Sequence, residues 1–484
     1  MPAEAVWAFH AHSGAFQRLM PGWQTLEVRS WRGTLRDARL EFVIRQGPAR
    51  LTWIAQHDAS GFVEGEQFVD VMERGPASAW RHTHRVTPMA GIGSATGTSG
   101  AGACELDDHI VYRLPLHPLG QWLGGWKFEA DLRRMFLFRH ARTAHDAARH
   151  ARFAGQRRLH IVLTGSNGTI GAALLAYLVN AGHRVDRLVR AQPRATGDGT
   201  GLLPGREVRW DPVASGPDAA LIAAIDGCDA VIHLGAAGIA ARRWTDTYKR
   251  ELVESRVRST ALLAQAIARC KLAPEVFMVA SGTNIYRPAA LGDVIPREED
   301  APVGDGFLAR LALDWEGAAA PAHSRTRVVN LRLGVVLSAK GGFLKAVAGV
   351  LPAGASRFGD GRAVVPWVHV DDVLGAVEHV LHTPGLRGAV NIAAPSVESN
   401  AAVLGAINVT RRSVVNVPVS AGLLRLMAGE MSEAVLASQP VSVAKLVGSG
   451  FVFAVPTVAA AAAIELGDAR GLAAQRERML SWRA

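Results

Sequence analysis

Apolar and polar positions follow two different rhythms along this chain. In the first part, Arg39-Leu40-Glu41-Phe42-Val43-Ile44-Arg45, Leu51-Thr52-Trp53-Ile54-Ala55, Gln67-Phe68-Val69-Asp70-Val71 and Ala79-Trp80-Arg81-His82-Thr83-His84-Arg85 alternate with a partial period of two. That is the pattern of antiparallel strands with one covered face. Val111 and Leu114 fall in a further strand, and residues 90 to 103 read as a low-complexity hairpin loop. Phe128 to Ala148 reads as a long helix that closes an α+β domain.

From Leu159 onward the rhythm changes. Leu159 to Leu163 is an apolar run of strand length, and Thr169 to Ala181 places Ile170, Leu174, Leu178 and Ala181 on one helical face before Gly182. Val185 to Val189, Ala230 to Leu234, Val276 to Val279 and Val328 to Leu331 repeat the buried-strand pattern, with helical stretches such as Asp246 to Arg269 between them. Strand and helix in turn predict a doubly wound parallel α/β sheet of Rossmann type. The expected organisation is an α+β domain over 1–150, a basic linker over 151–158, a parallel α/β domain over 159–410 and a C-terminal segment over 411–484.

Composition narrows the partners. With 484 residues, 49% hydrophobic and 20% charged, the chain has material for extensive cores and too little charge for disorder. Cys104, Cys228 and Cys270 are far apart and form no C-x-x-C pair, which excludes a disulfide framework and a cysteine zinc site and suits the reducing cytoplasm. The N-terminus lacks the basic start and apolar core of a signal peptide. Leu446 to Ile464, the longest apolar candidate for a span, contains Gly448, Gly450 and Pro456 and reads as a strand, a turn and the start of a helix, so no membrane segment is expected. The net charge is +10, and its densest basic stretch runs from Arg139 to Arg158 with Asp146 as the single acid. A solvated helix and linker is preferred there over a phosphate-binding patch, and no nucleic-acid motif accompanies it.

The sharpest motif lies between the first apolar run and the helix after it: Thr164-Gly165-Ser166-Asn167-Gly168-Thr169-Ile170-Gly171. Small residues let backbone N–H groups approach a pyrophosphate, and the helix N-terminus adds partial positive charge. The second strand ends Leu188-Val189-Arg190, without the acid that would bond both ribose hydroxyls. Arg190, with Arg194 as a helper, suits a 2′-phosphate, which favours NADP over NAD.

These residues, together with Val231-Ile232-His233-Leu234-Gly235-Ala236, Arg243-Trp244-Thr245, Ser255-Arg256-Val257, Asp314-Trp315-Glu316, Leu331-Arg332-Leu333-Gly334-Val335-Val336-Leu337 and Pro366-Trp367-Val368-His369-Val370-Asp371-Asp372, resemble the atypical, epimerase-like branch of the short-chain dehydrogenase/reductase superfamily. The resemblance covers residues 159 to about 465. Gly429-Glu430-Met431, Ala437-Ser438-Gln439 and Lys445-Leu446 look like the C-terminal segment of unknown function that this branch carries. It implies a nucleotide site formed by Gly165, Ser166, Asn167, Gly168, Thr169, Ile170, Gly171 and Arg190 with Leu234, Gly235 and Ala236. Gln67-Phe68-Val69-Asp70, Arg74-Gly75-Pro76, Trp80-Arg81-His82-Thr83-His84 and Phe138-Arg139-His140 resemble the helix-grip domain of polyketide cyclases and START-like carriers. That likeness implies a curved antiparallel sheet gripping a long helix, with an apolar cavity for a hydrophobic ligand.

Reductases of this superfamily use a tyrosine and a lysine four residues on. Placed by Glu316, those positions hold Leu308 and Ala312, so the dyad is absent. Ser281, Thr283 and Tyr286 follow a core strand at the edge where ligands bind and are the candidate catalytic residues, placed either to hydrogen-bond a small-molecule substrate or nicotinamide or only to fix the strand-end turn, since Gly282 holds the position expected of a catalytic hydroxyl. Tyr286 is the leading proton donor if a nearby positive charge lowers its pKa. Lys249 and Arg256 read as a solvated helix face. His369, Asp371 and Asp372 form an acid/base cluster, but in the resembling families this stretch shapes the substrate-side wall and caps a helix, and that role is preferred over catalysis. His82 and His84 share a strand face as metal ligands do, but no third ligand stands at useful spacing, so a hydrogen-bonded role is preferred and no metal is expected. An oxidoreductase and a non-catalytic NADP(H) sensor both fit these residues.

Overall fold

The computed structural model describes residues 2–89, 102–192, 205–350 and 354–481. The first part opens with helices α1 (Ala3–Ala11) and α2 (Ala15–Leu19). Six strands follow: β1 (Thr25–Arg32), β2 (Arg39–Gln46), β3 (Ala49–His57), β4 (Gln67–Arg74), β5 (Ala79–Met89) and β6 (Ala103–Arg113). They form one antiparallel meander in sequence order. β1 escapes the sequence pattern because its register shifts between Val28 and Ser30, which breaks the alternation begun by Leu26 and Val28. Met89 pairs with Ala103, while the loop expected between them lies, for residues 90–101, outside the described residues.

A single helix, α3 (Leu119–Ala151), spans 33 residues. Its first half packs aromatic rings on the sheet: Phe128 meets Trp80 and Tyr112, and Phe136 meets His82. The second half leaves the sheet and lies against the terminal helix Ala469–Ser481. Here the solvated reading of Arg139–Arg158 needs correction. Arg142, His145, Asp146 and Arg149 are buried. Arg142 pairs with Asp371, Arg149 with Asp372 at 2.7 Å, and Arg18 of α2 bridges Asp146 at 2.7 Å and Asp371 at 3.0 Å. Only from Ala151 to Arg158 is the chain largely exposed. The charges of α3 are thus matched by carboxylates that sequence spacing cannot show, since Arg142 and Asp371 stand 229 positions apart.

The second part contains β7 (His160–Thr164), α4 (Thr169–Asn180), β8 (Arg184–Val189), β9 (Arg206–Arg209), α5 (Ala219–Ile225), β10 (Ala230–His233), α6 (Asp246–Arg269), β11 (Val276–Gly282), α7 (Phe307–Gly317) and β12 (Arg327–Leu333). Helices α8 (Gly342–Val350) and α9 (Val370–Leu381) precede a last strand, Gly388–Ile392. All seven strands are parallel, and the order runs from Gly388–Ile392 through β12, β11, β10, β7 and β8 to β9. The order reverses between β7 and β10, which makes their carboxyl ends the switch point where ligands bind. Fully buried Ile161, Leu163, Ile232, Met278 and Leu331 form the sheet's core with α4 and α9.

α4 departs from an ordinary amphipathic surface helix. Leu174 and Leu178 are buried as their spacing predicts, but so are Leu175, Ala176 and Tyr177. α2 covers that second face so closely that a Cβ on Gly14 would stand 2.2 Å from the Ala176 carbonyl oxygen. Leu446, expected in a strand, lies in the short helix Ala444–Gly448. Among the described residues no helix is long and apolar enough to cross a membrane, and the three cysteines are free thiols.

Candidate functional site

The turn from β7 to α4 is built around the absence of side chains. Gly165 has φ +71°, and a Cβ there would come within 2.7 Å of the Leu234–Gly235 backbone. Both facts demand glycine. At Gly171 a Cβ would stand 2.1 Å from the Gly165 carbonyl oxygen, so helix and turn meet only because that position is bare. Gly168 caps α4 without a side-chain hydrogen bond to the first turn, leaving the helix N-terminus to an external acceptor. Ser166 is buried, Thr169 and Ile170 are half-buried and Asn167 is exposed.

The facing loop after β10 is held by a directed chain of hydrogen bonds. The Gly235 N–H donates to Thr164 Oγ1 at 3.1 Å, and Thr164 Oγ1 lies 2.6 Å from His233 Nδ1. His233 Nε2 lies 2.9 Å from Ser259 Oγ, which donates to the Ser255 carbonyl at 2.7 Å. With the Thr164 proton aimed at Nδ1, the imidazole is neutral and carries its proton on Nε2. Burial, reinforced by Arg256, pushes its pKa down to about 3. The solvated reading of Arg256 is also corrected: it is buried, donates to the Leu252 and Ala237 carbonyls at 3.1 and 3.0 Å and lies over Trp315. It therefore fixes the end of the Leu234-Gly235-Ala236 loop. Lys249 pairs with Glu430 and lies over Phe307.

Arg190 follows β8 directly and is exposed, whereas Arg194 lies outside the described residues. A further recess of about 280 Å³ opens beside Asn167, Gly168 and Thr169, and is lined also by Arg18, Arg142, Lys340 and Glu465. Sequence reasoning missed these cations because the fold, not spacing, gathers them. Lys340 is brought there by a loop so close to α4 that a Cβ on Gly341 would stand 2.0 Å from Thr169 Oγ1. Burial and then the neighbouring Arg142 push the Lys340 ammonium down to about 8. Arg18 and Arg142 are already paired with Asp146 and Asp371, and Glu465 lines the same recess, so what it offers an anion is Lys340 and the N-terminus of α4.

At the carboxyl end of β11, the other expected residues prove engaged. Ser281 Oγ donates to Glu316 at 2.7 Å, and Glu316 is held by both arms of Arg332 at 2.8 and 2.9 Å. Tyr286 is 1% exposed; its hydroxyl donates to Asn391 Oδ1 at 2.6 Å and accepts from Arg332 at 2.9 Å. The positive neighbour expected to lower its pKa is present, but burial outweighs it and the phenol is shifted upward. Thr283 is buried nearby. Leu308 and Ala312 sit on α7 among apolar neighbours. His369 is the N-cap of α9, and its Nε2 lies 3.1 Å from Glu465. With Asp371 and Asp372 bound to arginines, this cluster fastens the two parts together.

The NAD dependent epimerase/dehydratase family profile matches residues 161–393, and a domain of unknown function, DUF1731, matches residues 419–464. The epimerase family protein Mb2239 of Mycobacterium bovis is 35% identical over 243 residues, 50% of this chain and 75% of that protein. This chain belongs to the NAD-dependent epimerase/dehydratase family. Within the family, a nucleoside-diphosphate sugar epimerase structure from Corynebacterium glutamicum matches with a TM-score of 0.75 at 30% identity, over 100% of this chain and 92% of that one. The likeness thus includes the antiparallel part. Human epimerase family protein SDR39U1 (isoform 2), solved with NADPH, matches with a TM-score of 0.56 at 28% identity, over 64% of this chain and 100% of that one.

Proposed function

We propose that this epimerase-family chain binds NADP(H) and acts as an oxidoreductase on a small molecule at the carboxyl edge of the parallel sheet. The observation that carries the reading is the bare turn: Gly165 and Gly171 have no room for a side chain against the Leu234–Gly235 backbone and the Gly165 carbonyl, and no side chain caps the start of α4. Gly165 to Gly171 would hold the pyrophosphate, Leu234 to Ala236 would flank it, and Arg190 would meet the 2′-phosphate. The NADPH in the human relative's structure supports the same choice over NAD. When bound, the cofactor supplies or accepts a hydride.

Proton movement falls to this chain's own groups. Ser281 and Tyr286 commit their hydroxyl protons to Glu316 and Asn391, so Thr283, whose hydroxyl has no side-chain hydrogen bond among the described residues, is the freest of the three candidates. A second reading, an NADP(H) sensor without turnover, draws on Leu308 and Ala312 in the dyad positions and on the engaged Tyr286. The finer reading of residues 1–150 as a helix-grip carrier in a cytoplasmic protein draws on the six-stranded sheet with α3 across it and on the free thiols.

Calorimetry with NADPH and NADH on wild type and Arg190→Ala tests the cofactor. Wild type is expected to prefer NADPH, and Arg190→Ala to lose roughly 10–100-fold, the equivalent of a charged hydrogen bond of ~1.5–3 kcal/mol. Equal affinity for both nucleotides overturns the assignment. Reduced-nicotinamide absorbance across a panel of carbonyl compounds then separates enzyme from sensor. Turnover that disappears in Thr283→Val supports the first; no turnover with tight NADPH binding supports the second.

A further inference from the structure

The antiparallel sheet holds a cluster of chemistry-bearing side chains far from the nucleotide turn. Asp70 on β4 stands opposite His82 on β5, and His84, two residues on, stands opposite Asp108 on β6. All four therefore point from one sheet face toward α3, where His140 Nε2 reaches Asp108 Oδ2 at 2.5 Å. His82 and His84 are 2% and 4% exposed. The apolar interior expected between sheet and helix is, at this level, polar.

Each of the two imidazoles faces a carboxylate at both nitrogens. His82 Nδ1 lies 3.1 Å from Asp70 Oδ2 and its Nε2 lies 3.0 Å from Asp108 Oδ1. His84 Nε2 lies 3.6 Å from Asp70 Oδ2 and its Nδ1 lies 2.5 Å from Asp108 Oδ1. A neutral imidazole has one N–H and one lone pair, so it cannot donate at both ends. Filling all four contacts with protons requires two imidazolium rings with centroids 3.7 Å apart and away from water. Moreover, His84 Nδ1 makes no hydrogen bond of acceptable geometry, which leaves a buried nitrogen unsatisfied. A positive centre beside Asp70 that takes the lone pairs of His82 Nδ1 and His84 Nε2 removes the first difficulty, because each ring then keeps a single proton, on the nitrogen that faces Asp108.

We propose that Asp70, His82 and His84 form a binding site for a divalent first-row transition ion, with Asp108 as the carboxylate that orients the two imidazoles from behind. The three residues cluster, with Asp70 Oδ2 3.1 Å from His82 Nδ1 and 3.6 Å from His84 Nε2, spacings that suit ligands of one ion ~2 Å from each. Two histidines and one carboxylate suit Zn²⁺ or Fe²⁺ and leave coordination positions for water or a ligand. Asp108 then accepts from His82 Nε2 and from His140, the second carboxylate that metal-bound histidines commonly have. Phe68, stacked on His84 at 4.1 Å, and Phe136, edge-on to His82, hold the rings in place. The ion would sit inside the front part, where the substrate-side chemistry of the parallel sheet does not reach.

The experiment uses untagged full-length protein. Metal content by mass spectrometry, Zn²⁺ calorimetry after chelation and the visible spectrum with Co²⁺ are measured on wild type, Asp70→Asn, His84→Gln and Asp108→Asn. One equivalent per chain is expected in wild type, with stoichiometric binding lost in Asp70→Asn and His84→Gln and weakened roughly 10–100-fold in Asp108→Asn. Thermal unfolding of wild type with Zn²⁺ or with chelator covers the case of a variant that does not fold: a rise with Zn²⁺ and a fall with chelator are expected. Substoichiometric binding in wild type, no thermal response, or binding that survives in folded Asp70→Asn and His84→Gln overturns the site and leaves a purely hydrogen-bonded knot.

Discussion

The two sheets of this protein place polar chemistry in opposite ways. In the parallel sheet, the interiors of the central strands β7, β10 and β11, such as Ile161, Val162 and Leu163 or Val276, Phe277 and Met278, are wholly apolar, and polar Thr164, His233 and Ser281 stand at their ends. The buried mid-strand charges Asp186 and Arg187 belong to β8 toward the sheet's edge, paired with Arg206 and Glu207. In the antiparallel sheet, Asp70, His82, His84 and Asp108 lie mid-strand on the covered face. Helices cover both faces of the central strands, so a charge there would lie away from water, and ligands bind at the strand ends. An antiparallel meander sets alternate residues of three neighbouring strands on one face, so register alone assembles a polar group. One architecture makes a site from strand ends, the other from strand middles.

That contrast is sharpest where the two parts meet, and the largest effect is expected there. Replacing Asp371 by Ala strips Arg18 and Arg142 of a buried counter-charge, and removing one partner of such a pair costs ~3–5 kcal/mol. Denaturant unfolding should show that loss, while Glu27→Ala, on an exposed pair with Arg50, should change stability by less than ~1 kcal/mol. Equal effects would mean that the junction is no tighter than the surface. Acid should act through the same groups. Asp371, Asp146, Glu465 and Glu378 are all held below the ordinary carboxylate range, Asp371 chiefly by Arg142 against the opposing effect of burial. Depressed carboxylates stabilise the fold above their unfolded values, so stability should fall as pH drops below ~4.

At the strand-end site, Gly165→Ala adds a Cβ at positive φ against the Leu234 backbone. The left-handed conformation alone costs ~1–2 kcal/mol, so NADPH affinity should fall at least ~10-fold in calorimetry. Unchanged affinity would detach the turn from nucleotide binding. A smaller effect concerns Lys340. Burial and then Arg142 push its ammonium down to about 8, and it shares the recess with Arg18, Arg142 and Glu465. Because the protonated form attracts anions, NADPH affinity should decline as pH rises through that value, and Lys340→Met should flatten the profile. The smallest effect is expected for Tyr286→Phe. It removes one hydroxyl from the Asn391 and Arg332 contacts, worth ~1 kcal/mol of stability, and should leave NADPH affinity unchanged.

The parts of this molecule that were legible in sequence are those whose cause is local. The glycine turn, the buried strands beside it and α6 follow from residues within one or two turns of each other, and α6 runs over Asp246–Arg269 as its periodicity predicts. What sequence missed depends on distant partners. The arginines of α3 look solvated until Asp371 and Asp372 arrive from more than 220 positions away. His82 and His84 stand among neutral and basic residues in sequence until strand register brings Asp70 opposite His82. Tyr286 looks like a poised acid until β12 and the last strand close over its hydroxyl.

The length of α3 carries a consequence for how this architecture can be rearranged. At about 50 Å, the helix is a wall of one core at its start and a bearing of the other at its end, with no break between. Exchange of the front part between relatives is therefore not a matter of joining modules at an exposed loop. A transplanted helix brings Arg142 and Arg149, and α2 brings Arg18; each needs its acidic receptor already present on the new host. Helix and receptor must travel as one inherited unit, like a plug and its socket.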